Sequence, residues 1–134
     1  MRLSSAVTFV SDLDRSIAFY SELLGLTCSV RDESAALLVC GGGYELYLRG
    51  KHAQPSRVSG SVGLQYLIWS ADSVEELERC EEVFKRQSHN VRRENIDGFD
   101  IVEGRDPDHL AVMVVFPGPD QAARHAIIPR IYSW

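Results

Sequence analysis

Glu45, Tyr47 and Arg49 alternate along the run "YELYLRG". In an extended chain, alternate side chains share a face, so a carboxylate, a phenol and a guanidinium project together. Against an apolar wall Glu45 is the best candidate general base in the chain, whereas a neighbouring Arg49 suits it to orienting a ligand. The pair therefore reads as a polar anchor for a bound organic molecule rather than a proton shuttle.

The same alternation splits three other apolar runs. "SAVTFV" places Ser5, Val7 and Phe9 on one face, "LQYLIW" places Gln65, Leu67 and Trp69, and "LAVMVV" places Ala111, Met113 and Val115. The complementary sets are Ala6, Thr8 and Val10; Tyr44, Leu46 and Leu48; Leu64, Tyr66 and Ile68; and Leu110, Val112 and Val114. These are almost wholly apolar and suit packing beneath helices, leaving the mixed sets to line a binding cleft. Phe9, Tyr47 and Trp69 would stack on a planar or apolar ligand, and Glu45, Gln65 and Arg49 would orient it.

No other catalytic device is present. The chain has neither a G-x-S-x-G elbow nor a phosphate-cradling G-x-x-x-x-G-K, and "GGG" at 41–43 reads as a hairpin turn. Cys28, Cys40 and Cys80 form no C-x-x-C, and Cys80 lies in the acidic helical run "EELERCEEVF", where carboxylates dull a thiol. His52, His89 and His125 fall in loop, helix-end and tail segments, and His109 reads as a surface residue of the turn "DPDH".

The elements that must position these faces occur twice. "AVTFV" is followed by Asp12 as a helix cap and by Leu13, Ile17, Tyr20 and Leu24 at helical spacing; "TCSVRD", "AALLVC" and "YELYLRG" follow as strands. Some sixty residues on, "LQYLIWSADSVEELERCEEVFKRQ" repeats strand, cap and helix. There Asp72 with Glu75 fits a capping box, and Val74, Leu77, Val83 and Phe84 form the apolar stripe. "NVRREN", "FDIVEG" and "LAVMVVF" complete a second βαβββ unit. The expected fold is α+β, with two tandem βαβββ modules at about 3–50 and 62–116, curved mixed sheets forming an open cleft, and helices on the outer faces. Residues 1–117 form one domain on this reading.

The stretches "VTFVSDLDRSIAFYSELLGL" and "GRDPDHLAVMVVF" resemble the opening and closing signatures of the vicinal oxygen chelate superfamily, which includes glyoxalases, bleomycin resistance proteins and extradiol dioxygenases; the resemblance covers residues 3–116. In metal-using relatives the ligands stand on the first and fourth strands of each half. The resemblance puts those positions at Ser5, Glu45, Gln65 and Met113. A hydroxyl and a thioether are poor donors for a hard divalent ion, so no metal or other cofactor is expected. A bleomycin-resistance-like protein that sequesters a small molecule is the leading expectation. The alternative is a metal-dependent glyoxalase-like lyase or isomerase, or a dioxygenase, at a degenerate site of Glu45 and Gln65.

Composition narrows the partners. A chain of 134 residues with net charge -5 offers no basic surface for nucleic acid, and Arg92 and Arg93 read as a solvated strand edge. With no run of eighteen apolar residues and no leader-like start, a cytoplasmic protein is expected and no membrane partner. The tail at 118–134 carries Ile127, Ile128, Ile131, Tyr132 and Trp134. So much apolar surface predicts packing on its own domain or on a partner chain, and relatives of this kind dimerise, so a homodimer is expected.

Overall fold

A computed structural model describes residues 5–50, 64, 66–96 and 98–118. Gln65, the glycine- and serine-containing stretch at 51–63 and the tail from 119 onward lie outside the described residues. The chain divides into two compact units, Met1–Ser56 and Arg57–Trp134. Each unit repeats one plan.

In the first unit, β1 (Ser5–Val10) leads into α1 (Leu13–Leu24), then β2 (Thr27–Arg31), β3 (Ala35–Val39) and β4 (Glu45–Gly50). The sheet order is β1-β4-β3-β2, with β1 parallel to β4 and the remaining pairs antiparallel. Asp12 caps α1 as its type dictates: its carboxylate accepts from the Arg15 amide at 3.0 Å, and the helix stops at Gly25, whose φ of 64° suits a residue without Cβ. Asp32 closes the β2–β3 turn by accepting from the Ser34 and Ala35 amides, each at 2.7 Å. Those hydrogen bonds hold its carboxyl below the usual carboxylate range.

The buried stripe of α1 is Ser16, Phe19, Tyr20 and Leu23, rotated from the expected Leu13, Ile17, Tyr20 and Leu24. Apolar residues occupy more than half of the helix circumference, so spacing alone left two adjacent stripes open; packing on β3 and β4 selects the one carrying Phe19. The Phe19 and Tyr20 rings meet edge to face at 5.1 Å. Beneath them lie Ala36, Leu38, Leu46 and Leu48, all buried.

The second unit runs β5 (Tyr66–Ser70), α2 (Val74–Gln87), β6 (Arg92–Ile96), β7 (Phe99–Arg105) and β8 (Ala111–Phe116), in the order β5-β8-β7-β6. The repeat expected from sequence is therefore present in topology and in the parallel β5–β8 pair that mirrors β1–β4. The cap of α2 stands one residue later than expected. Ser73, not Asp72, is the N-cap, accepting from the Glu76 amide at 3.1 Å, while the Glu76 carboxylate accepts from the Asp72 amide at 2.8 Å. The hydroxyl-x-x-glutamate pattern Ser73 to Glu76 satisfies the capping box and places Val74 on the exposed side, with Cys80 joining Leu77, Val83 and Phe84 in the buried stripe.

Arg93 and Arg92 part company on edge strand β6. Arg93 points to the helix side and pairs with Glu81 of α2 at 2.8 Å, whereas Arg92 pairs with Glu94 along its own strand. Burial opposes ionisation of Glu81, but Lys85 and Arg93 outweigh it and hold its carboxyl below the usual range. Inside, β8 is buried on both faces from Ala111 to Val115. Gly104 of β7 marks the closest approach of α2, because a Cβ there would overlap ring carbons of the fully buried Phe84. The turn before β8 is anchored by Asp106, whose carboxylate accepts from the amides of Asp108 at 2.9 Å and Leu110 at 2.8 Å. Its last corner is His109, exposed and left-handed at φ 65°.

Gly104→Ala should cost ~2 kcal/mol or more in urea unfolding, because the well-packed ring has to leave its rotamer. In a Phe84→Leu background the same glycine change should cost clearly less, and additive penalties would show that the contact is not the cause. His109→Gly should gain ~1 kcal/mol, the cost of holding a side chain in the left-handed region, with an unchanged or lowered midpoint as the contrary result. Burial pushes the Cys80 thiol up to about 11, with Glu76 adding a little and Arg79 opposing it. Cys28 and Cys40, both half-buried, should therefore take up iodoacetamide at pH 8 well before Cys80. Mass spectrometry of the labelled protein would show the order.

Candidate functional site

Six of the side chains expected at the site come together on one surface, the face of the first sheet that α1 does not cover. Their rows follow from the strand register. Thr27, Val39, Glu45 and Ser5 form one row; Val30, Leu37, Tyr47 and Val7 form the next; Ala35, Arg49 and Phe9 form the third. A β-bulge between Cys28 and Val30 keeps Val30 in phase with Leu37 on this face.

The middle row is a band of apolar side chains across all four strands, ~14 Å from end to end at the usual strand spacing. It stays largely bare: Val7 and Val30 are each 61% exposed and Tyr47 is 37% exposed. Phe9 in the next row is 54% exposed. Scattered exposed hydrophobes need no explanation, but a contiguous set on one sheet face does.

Charged groups flank this band on its two long sides, in the neighbouring rows, and not together. The Arg49 guanidinium lies over the Phe9 ring, 5.5 Å from its centroid. Glu45 is half-buried beside Ser5 and Val39 in the far row. Four residues of extended chain separate Glu45 and Arg49 along β4, ~13 Å, and among the described residues no ion pair joins them. The expected Glu–Arg anchor is thus two separate anchors, one acidic and one basic, with Tyr47 between them.

The second unit departs from expectation on β5. Leu67 is in register with Val112, which is in register with Gly104, the residue against the Phe84 ring; Trp69 is likewise in register with Val114 and Val102. Leu67 and Trp69 therefore face α2, and Tyr66 and Ile68 take the opposite face with Met113. The assignment of Leu67 and Trp69 to the open face is corrected by one residue of phase. Both alternate sets of "LQYLIW" are apolar or aromatic, so hydrophobicity along the strand could not decide it; pairing with β8 does.

Met113 lies on the expected face, but it is fully buried in a cluster with Ile101 and Val115, against which Tyr66, Ile96 and Phe99 pack. Its neighbour in register on β7 is Glu103, a carboxylate only 1% exposed, itself in register with Arg92 on β6. The sequence reading passed over Glu103. Its signal was an acid set between Val102 and Gly104 in the run "FDIVEG", where an edge-exposed position was as plausible as a buried one.

The fold is similar to that of known proteins. Structures similar to it include a glyoxylase/bleomycin resistance protein/dioxygenase domain from Frankia sp. EAN1pec, with 24% identity, TM-score 0.74, and coverage of 86% of this chain and 96% of that one. A putative glyoxalase from Bacillus halodurans is 20% identical with TM-score 0.69, covering 84% and 93%. Lactoylglutathione lyase from Agrobacterium tumefaciens is 22% identical with TM-score 0.62, covering 85% and 92%. At such identities the likeness is one of fold. No curated protein sequence matches the chain. A family model does match residues 2–114, in keeping with the duplicated βαβββ plan, and the chain belongs to the Glyoxalase/Bleomycin resistance protein/Dioxygenase superfamily.

Proposed function

We propose that the protein binds a small organic molecule on the open face of its first sheet, without a metal ion, in the manner of a sequestering or resistance protein. The observation that carries this reading is the bare apolar band of Val7, Leu37, Tyr47 and Val30, with Phe9 beside it and one charged group on each of its long sides, Glu45 and Arg49. Phe9 is half exposed, so covering it would return ~1 kcal/mol from apolar burial, and covering Val7, Val30 and Tyr47 with it would return several times that. Ring stacking on Phe9 and Tyr47 adds orientation to that.

The donor set does not fit the divalent ion that metal-using members of this superfamily carry. Ser5 offers a neutral hydroxyl, and the Met113 thioether is soft and fully buried in a cluster with Ile101, Val115, Tyr66 and Phe99, with Glu103 beside it in register. Glu45 is the one carboxylate at those positions, with Gln65 outside the described residues. No group of three or more His, Cys, Asp or Glu able to hold a metal occurs among the described residues. A lyase, isomerase or dioxygenase cycle routed through a metal therefore finds no support in the donors seen here.

Native mass spectrometry of freshly purified protein should retain an organic ligand, and elemental analysis should find no stoichiometric metal. Phe9→Ala should weaken retention by roughly tenfold or more, in line with the apolar area and the ring stacking it removes. A stoichiometric ion present in the parent protein and lost in Glu45→Ala would reverse the reading in favour of the metal enzyme.

A further inference from the structure

We infer that the molecule bound on this face is an organic monoanion, whose carboxylate or similar planar acid group docks on Arg49 while its apolar body lies across Val7, Tyr47 and Leu37. This rests on the small-molecule reading above and names the class of ligand it takes.

The inference comes from how cations are used in this chain. Acidic residues outnumber Lys and Arg, 19 to 14. Carboxylates accordingly meet Arg31 (Asp14), Arg79 (Glu76), Lys85 (Glu81 and Glu82), Arg92 (Glu94) and Arg93 (Glu81). Arg49 is different. Among the described residues its contact is the Phe9 ring, and no carboxylate meets it.

The surroundings of Arg49 keep its donor edge open. On β3 its neighbour in register is Ala35, which carries only a methyl group, and on β1 it is Phe9. Stacking on a ring engages the face of a guanidinium and leaves its in-plane N–H groups for an acceptor. A planar acid matches that fork with two parallel hydrogen bonds. One guanidinium on a chain of net charge -5 suits a monoanion better than a doubly charged phosphate, which would need further cations.

Distance sets the shape of the ligand. Tyr47 and Val7 are each one same-face step along the strand from the Arg49 row, ~6–7 Å away. An acid separated from a ring by a short linker spans that step. Glu45, in the row on the other side of the band, disfavours the reverse orientation, in which the acid would approach another carboxylate.

Three isosteric probes test this on the full-length protein: 3-phenylpropionate, 3-phenylpropanol and 3-phenylpropylamine, followed by the amide resonances of Val7 and Tyr47 at fixed ionic strength. The acid should bind roughly tenfold more tightly than the alcohol, and the amine no better than the alcohol. Arg49→Met, an exposed change whose folding a melting curve checks, should bring the acid down to the alcohol and leave alcohol binding unchanged. Arg49→Lys should retain part of the preference. Tightest binding by the amine would make Glu45 the anchor and overturn the inference, as would equal binding of all three or a preference that survives Arg49→Met. In each of those cases the small-molecule reading stands. If none of the probes moves these resonances and native spectra show no retained ligand, both fall together.

Discussion

The structure depends on which alternate residues of each sheet are sealed beneath a helix. In the first unit Leu46, Leu48, Leu38 and Ala36 meet α1, and their burial excludes every other phase of the strands. Ser5, Val7, Phe9, Glu45, Tyr47 and Arg49 share the opposite face as a consequence. A slip of one residue would bury Arg49 and Glu45 and expose the leucines, at a cost no domain of this size could carry. The composition of the open face is thus protected by the helix on the other side of the sheet.

The two units use the same topology to different ends. The open face of the first sheet carries a bare apolar band flanked by Glu45 and Arg49, whereas the corresponding face of the second is a packed cluster around Met113. Ser5 and Met113 follow this division, the first on the open face and the second inside the packed cluster. Met113 fills that cluster as a flexible apolar side chain, beside the buried carboxylate of Glu103.

Close packing of α2 imposes a further constraint. Phe84 can sit over β7 only because residue 104 lacks a Cβ, which brings the helix down onto Val102, Val112 and Val114. The same contact fixes the phase of β8 and, through the parallel pair, of β5. That chain of register is why Trp69 belongs to the helix side although it looked suited to a ligand.

Topology was legible in the amino-acid sequence: the βαβββ repeat, the cap at Asp12, the stop at Gly25 and the turn before β8 all follow from local backbone preferences, which need only neighbouring residues to act. The face of β4 was also legible, since Glu45, Tyr47 and Arg49 alternate with leucines and contrast decides the phase. Where contrast fails, as in the all-apolar "LQYLIW" or around the helix circumference of α1, only tertiary packing chooses, because burial rewards either set equally until a partner surface is in place. The separation of Glu45 from Arg49, the seat of Arg49 on Phe9 and the burial of Glu103 likewise belong to the folded chain. They depend on register with strands distant in sequence, which no local pattern encodes.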